Sequence, residues 1–361
     1  MKRIIFTVTN NLNYDQRMIR ICTTLAGAGY SVTLVGINRG SSLPSERKYA
    51  QKRLPVFFKK GFGFYAEYNT RLFIYLLFQK ADIFCCIDLD TMLPVWLAGK
   101  LKNTRRVYDA HEYFSQQKEI VTRPNVFRVW HWIEKTFVPK FMTGYTVNDS
   151  IAAEFKKLYQ VDYEVIRNLP LLKTTGARPA NTGRIILYQG AVNEARGLEF
   201  LIPAMKEIEA ELHIYGDGNF MEQTKSLISA NNLQDKVFLQ GKVLPEQLDD
   251  ITQRSRLGLN LVEHIGLNQY YSLANKFFDY INNGLPQVSM NFPEYKMIND
   301  EFEVALLVDD LEPAALKTAI DTLLDDEELY KRLQQNCLKA RQILNWQNEE
   351  KKLLAFFKNI S

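Results

Sequence analysis

No run of apolar residues among these 361 amino acids approaches the length that crosses a bilayer, which leaves no candidate transmembrane helix. The opening, Met-Lys-Arg-Ile-Ile-Phe-Thr-Val, lacks the long apolar core and cleavage site of an export signal and reads as a first β-strand. Cysteine is scarce: the four, at positions 22, 85, 86 and 337, show no CxxC spacing. Cys85 and Cys86 lie in an apolar run, so the set reads as reduced core residues of a cytosolic protein, with no metal site. No Gly-x-Gly-x-x-Gly occurs, which weakens a dinucleotide-binding reading. Charge of either sign is not concentrated: 45 Lys and Arg face 41 Asp and Glu, a net of +4 without a basic run, which speaks against nucleic acid. That small excess leaves a weak attraction to anionic surfaces open. Repeats and disordered stretches are also missing.

What remains is an ordinary globular composition on a chain longer than one core usually supports, so two domains are expected. Short β-runs alternate with helical segments over 3–9, 15–29, 31–36, 83–87, 93–101, 106–108, 127–141 and 144–147. The pattern restarts over 184–188, 199–208, 211–215, 220–231, 237–240, 245–253, 257–261 and 285–290. Such alternation predicts parallel sheets wrapped by helices, hence an α/β chain of two Rossmann-like, doubly wound domains facing a cleft. The expected division is 1–170, a turn-rich linker over 171–183, and 184–344. A last helix over 345–361 carries Leu353, Leu354, Phe356 and Phe357; its sequence suits packing on its own domain or on the first.

The most informative stretch is Tyr271-Ser-Leu-Ala-Asn-Lys-Phe-Phe-Asp-Tyr280, followed by Ile-Asn-Asn-Gly284-Leu-Pro286. Phe277, Phe278 and Ile281 form an apolar stripe at helical spacing, Gly284 is a helix stop, and a strand follows. With the helix starting near Leu273, its free N–H groups and positive dipole end lie beside Lys276, a site for phosphate. Asp279, three residues on, shares that face. An anion site with a carboxylate one turn deeper can hold a diphosphate and a ribose hydroxyl; an ordinary amphipathic helix with a glycine C-cap is the competing reading.

This stretch resembles the donor-binding segment of GT-B glycosyltransferases of the family-4 type, in a branch reading roughly Tyr-Ser-x-Pro-Asn-Lys-x-Phe-Glu-Tyr-(x)3-Gly-x-Pro. Further motifs follow the same order. Thr9-Asn-Asn11-Leu-Asn-Tyr-Asp15-Gln-Arg17 is similar to an Asp-x-Arg loop under the acceptor, which makes Asn11, Asp15 and Arg17 acceptor-side candidates; Asp15 is equally suited to an N-cap. Ile83-Phe-Cys-Cys-Ile-Asp88-Leu-Asp90-Thr91 resembles the branch's Asp-Leu-Asp-Thr, implying a place at the cleft for Asp88 and a structural one for Asp90. In Val107-Tyr-Asp109-Ala-His111-Glu112, a His-Glu after a strand resembles the family's pair near the donor sugar, so His111 is a catalytic candidate and Glu112 its orienter or a helix cap. Ile186-Leu-Tyr-Gln-Gly190-Ala191-Val-Asn-Glu-Ala-Arg196-Gly197 is similar to the diphosphate loop, with Ala191 where a first cation is common and Arg196 where a lysine is expected. The resemblance thus implies catalytic roles for Arg196 and Lys276. It implies donor contacts for Gly190, Gly216, Val243, Ser272, Leu273, Asn275 and Asp279, with Val243 reading the base through its backbone. Tyr271 stands where a glutamate is commoner, which puts sugar recognition by that residue in doubt.

The implied activity is transfer of a sugar from a nucleoside diphosphate to an acceptor hydroxyl with retention, in cell-surface polysaccharide or glycan synthesis. The expected partners are a nucleotide-sugar donor and a glycan or lipid-linked acceptor. No cofactor and no metal are expected. The aromatic, basic stretch 57–78 is compatible with a peripheral place at the inner face of a membrane or with a covered helix pair. The competing functions are a nucleotide-sugar epimerase or hydrolase on the same scaffold, and a catalytically silent sugar-nucleotide-binding subunit.

Overall fold

The computed structural model describes residues 1–10, 12, 15–37, 47–172 and 183–360. It divides into two compact units, one formed by Met1–Asn168 with Asn348–Ser361, the other by Leu169–Gln347. Among the described residues the first holds seven strands: β1 Arg3–Thr7, β2 Ser31–Ile37, β3 Ala50–Leu54, β4 Ile83–Ile87, β5 Arg105–Ala110, β6 Gly144–Thr146 and β7 Glu164–Val165. All pair in parallel in the order β3-β2-β1-β4-β5-β6-β7. The second holds β8 Ile185–Gln189, β9 Glu211–Tyr215, β10 Val237–Gly241, β11 Leu257–Asn260, β12 Gln287–Met290 and β13 Ala305–Val308, parallel in the order β10-β9-β8-β11-β12-β13. Each order reverses direction once, between β1 and β4 and between β8 and β11. At such a switch point neighbouring loops diverge and open a crevice at the carboxyl ends of the strands.

The residues explain the elements. Strands buried on both faces read as continuous apolar runs, and the Ile-Phe-Cys-Cys-Ile of β4 is buried throughout. Helix Gln16–Gly27 buries Met18, Ile21, Cys22 and Leu25 at helical spacing, and Asp15 caps it by accepting the Met18 N–H at 3.0 Å. Helix Asn275–Asn282 buries Phe277, Phe278 and Ile281, each phenylalanine worth about 2–3 kcal/mol of burial. It stops where Gly284 takes a φ of +63°, allowing the Gly284 and Leu285 N–H groups to close on the Ile281 and Tyr280 carbonyls.

Several elements differ from the sequence reading. β3 carries Lys52 and Arg53 and lies at a sheet edge, where its polar pattern hid it. β13 is a four-residue edge strand that was not expected. The helix expected over 199–208 is shorter, Leu198–Ala204. The last helix, Trp346–Asn359, lays Phe356 against Tyr145 at 5.0 Å and Phe357 against Phe6 at 5.9 Å between ring centres. Its Glu350 accepts from Thr24 and its Glu349 from the Arg167 N–H, so from Asn348 onward it is part of the first unit.

Candidate functional site

In the second unit, the carboxyl end of β8 delivers Gly190, whose φ is +121°, into a loop that packs back to back against Gly216 after β9. A Cβ on Gly216 would lie 1.8 Å from the Gly190 carbonyl oxygen, so no other residue allows this approach. The Gly190 N–H donates to Tyr215 and that of Val192 to Asp217, fixing the loop before it reaches Arg196. Tyr188, the penultimate residue of β8, is fully buried and donates its hydroxyl to the Ala191 carbonyl at 2.8 Å.

Above the Tyr188 ring lies Lys276, its Nζ 3.9 Å from the ring centre. This Nζ is sheltered from solvent and makes no hydrogen bond. Burial, with the nearby positive charge of Arg196 added, lowers its pKa from the ordinary lysine range to about 7. Two cations thus face one locality with only an aromatic ring beneath the lysine, an arrangement that an incoming anion would relieve. Asp279, one turn along the same helix, accepts from the Gln189 side chain at 3.1 Å, and Gln189 in turn accepts from Thr252. Asn275 opens the helix and is exposed. Val243 lies in the loop after β10, next to Lys242, whose ammonium is 3.2 Å from Asp217.

The helix starts later than the sequence suggested. The Tyr295 hydroxyl accepts the Ala274 N–H at 3.0 Å and bonds the Ser272 hydroxyl at 3.1 Å, holding Ala274 extended as the cap. Ser272 and Leu273 therefore precede the first turn, which begins at Asn275 and closes with the Phe277 N–H on the Ala274 carbonyl at 3.1 Å.

In the first unit, the switch point gathers a second constellation. His111 follows β5, and its Nε2 lies 3.0 Å from Asp109 Oδ2, while Asp109 Oδ1 accepts from Arg17 at 3.0 Å. Arg17 also donates to the Ile166 carbonyl at 2.9 Å. Asp109 is completely buried and Arg17 only 4% exposed, so Arg17, named as an acceptor-side candidate, is in the fold the buried ion-pair partner of Asp109. Burial pushes Asp109 upward, but Arg17 and His111 outweigh it and hold the carboxyl below its ordinary range. Burial likewise opposes the imidazolium of His111, and Asp109 overcomes it, so the histidine is shifted upward.

Asp88, after β4, has a φ of +54° and accepts the His111 N–H at 2.9 Å and the Glu112 N–H at 3.3 Å. Burial pushes its carboxyl well up, against the pull of His111. Such a backbone costs about 1–3 kcal/mol and here places the loop that carries His111. Asp90 is buried, accepts from Thr9 and is raised by burial to about 7. Glu112 is exposed and accepts from Gln117. Asp15 is the helix cap described above, also bonded by Asn10 at 3.0 Å; Asn11 lies outside the described residues.

The sequence reading thus missed roles for Asp109, Tyr188, Gln189 and Tyr295. Asp109 was within reach, because residues two apart on a strand share a face and Asp109 precedes His111 by two. The other three depend on contacts between distant segments. Among the described residues no group of three or more His, Cys, Asp and Glu could hold a metal ion.

Residues 177–340 match the family described as Glycosyl transferases group 1. No curated protein matches the chain significantly in sequence. Among solved structures, sucrose-phosphate synthase from Thermosynechococcus elongatus is similar with a TM-score of 0.84 and 16% identity, covering 100% of this chain and 99% of its own. HepE from Anabaena, in complex with UDP-glucose, has a TM-score of 0.80 and 12% identity, covering 99% and 100%. WaaG, a glycosyltransferase involved in lipopolysaccharide biosynthesis, has a TM-score of 0.74 and 15% identity, covering 97% and 98%. The match to glycosyl transferases group 1 thus lies within the second unit, and the fold, two Rossmann-like α/β domains, is the one shared by GT-B glycosyltransferases.

Proposed function

We propose that this protein transfers a sugar from a nucleoside diphosphate to the hydroxyl of a glycan or lipid-linked acceptor, retaining the anomeric configuration, in cell-surface polysaccharide or glycan synthesis. The observation that carries the donor assignment is Lys276, a sheltered ammonium without a hydrogen bond, beside Arg196 and the Gly190 loop. A diphosphate satisfies both cations at once, and the N–H groups at the start of helix Asn275–Asn282 add to them. Asp279 is the candidate for a ribose hydroxyl and Val243, through its backbone, for the base. As the bond from the anomeric carbon to the diphosphate oxygen breaks, negative charge grows on the leaving group. Lys276 and Arg196 stabilise that charge more than they stabilise the ground state, which is what accelerates the step. With two cations and a helix terminus in that role, no divalent metal is required.

His111 is the candidate for contact with the transferred sugar, and Asp109 and Arg17 are positioning residues behind it. The acceptor oxygen forms the new bond to the anomeric carbon and passes its proton to the departing diphosphate oxygen as the bond between that oxygen and the anomeric carbon breaks. A place in the cytoplasm, at the inner face of a membrane, fits a lipid-linked acceptor. Resemblance to HepE, which was solved with UDP-glucose, makes a UDP-sugar the first donor to try. Incubation with UDP-glucose and other nucleotide sugars, with and without an extract of lipid-linked glycans, should give nucleotide release that depends on acceptor. Release at the same rate without acceptor indicates a hydrolase or epimerase, and binding without release indicates a silent subunit.

A further inference from the structure

The first unit carries an apolar and basic surface that the proposed chemistry does not use. Three helices build it: Gly61–Phe78, Met92–Lys102 and Pro124–Phe137. They form one layer, since Tyr65 meets Trp130 edge-on at 5.0 Å, Trp96 meets Phe137 at 5.2 Å, and Lys102 donates to the Leu77 carbonyl at 2.7 Å. Large apolar side chains nonetheless point to solvent from this layer and the loop leading into it. Phe57, Phe62 and Phe78 are 80%, 85% and 81% exposed, and Leu101 and Trp132 are 68% and 58% exposed. Exposed apolar residues scattered singly need no explanation, whereas a group of this kind on one layer marks an interaction surface.

The leading loop is held in this posture. Glu67 accepts the N–H groups of both Phe57 and Phe58, at 2.9 and 3.0 Å, and pairs with Arg71, whose guanidinium lies 5.2 Å from the Phe57 ring centre. Phe58 and the adjacent Lys59 and Lys60 are exposed beside Phe57. Cations elsewhere on the layer rest on aromatic faces: Lys140 lies over Trp96 at 4.8 Å and over Phe137 at 4.5 Å, and Lys100 over Trp96 at 5.2 Å.

Charge identifies the occupant. Across residues 57–80, 92–102 and 124–140, nine lysines and arginines face two glutamates, an excess of seven where the whole chain has four. One of those glutamates is the Glu67 already paired, and the other, Glu134, is buried. A protein partner would need an acidic and apolar face of matching shape. A leaflet with anionic headgroups meets any arrangement of exposed aromatics ringed by lysines, because rings enter the headgroup boundary while ammonium groups remain at phosphate level. No described helix is long and apolar enough to cross a membrane, so the contact is with one leaflet.

We propose that this layer, entered through the loop bearing Phe57, Phe58, Lys59 and Lys60, docks the protein on anionic lipid bilayers. The inference stands apart from the donor site, so either can fail alone. The experiment is co-sedimentation of the full chain with vesicles of phosphatidylcholine alone or with one third phosphatidylglycerol, at low and at high salt. Binding is expected on the anionic vesicles only, and raising salt should weaken it. Lys59→Glu with Lys60→Glu should lower the partition coefficient by about fivefold or more per lysine, and Phe57→Ser with Phe62→Ser should lower it about tenfold or more. These side chains are exposed, so circular dichroism and thermal unfolding should match the parent. Failure to sediment with anionic vesicles overturns the proposal, as does equal sedimentation with phosphatidylcholine alone. Self-association in analytical ultracentrifugation that the phenylalanine substitutions abolish, without vesicle binding, overturns it in favour of a second copy of this chain.

Discussion

Lys276→Ala is expected to lower kcat/KM for transfer by about 10²–10³-fold, the range seen when one preorganised group that stabilises transition-state charge is removed. The loss should appear in kcat as well as KM, because the diphosphate is more negative in the transition state than in the bound donor. Stability should move the other way. The folded protein holds Lys276 at a pKa of about 7, below that of the unfolded chain. Between about pH 7 and the ordinary lysine range the unfolded chain therefore binds more protons, and this lysine costs stability as pH falls through that window. The alanine variant loses that cost and should melt no lower than the parent at pH 7. A bound diphosphate favours the ammonium and reverses the shift, so donor affinity should decline as pH rises above about 7. Lys276→Arg, which does not titrate there, should flatten that dependence. Calorimetric melting and a pH series of donor titrations check both signs; an alanine variant that binds less and also melts much lower would point to a structural lysine.

Asp109→Ala is expected to destabilise the first unit by about 3–5 kcal/mol, because it leaves the Arg17 guanidinium buried without its carboxylate partner, still donating to the Ile166 carbonyl. It should also lower the pKa of His111 and reduce transfer, since the carboxyl that orients the imidazole is gone. The double replacement Arg17→Met with Asp109→Leu separates these effects: it should regain most of the stability, as buried pairs replaced by apolar residues often do, without regaining activity. Denaturant unfolding and steady-state kinetics on the two variants provide the comparison. Recovery of both together would deny Asp109 its positioning role.

Much of the fold was legible because its signals are local. Alternation of short apolar runs with amphipathic helices needs only neighbours in sequence, whereas the strand order, and with it each switch point, is set by pairing between distant segments. What escaped were segments whose identity is conferred from outside. β3 is polar because it borders a sheet edge, and helix Asn275–Asn282 begins where Tyr295 places its cap. The donor candidates show the same division. Lys276 and Asp279 were readable from spacing and Asn275 from the resemblance, whereas the Tyr188 ring under Lys276 and the Gln189 amide on Asp279 come from a strand about ninety residues earlier. For Arg17 the resemblance implied only a place on the acceptor side. Its actual partner, Asp109, is 92 residues away, and burial decides its role.

The central claim is that the Gly190 loop, Arg196 and Lys276 bind a nucleoside diphosphate. Isothermal titration of UDP, and of the other nucleoside diphosphates, into the parent and into Lys276→Ala tests it without any need for an acceptor. The account predicts saturable binding of at least one of them to the parent, weakened about tenfold or more in the variant. Equal affinity for parent and variant, or no binding of any of them, would contradict it.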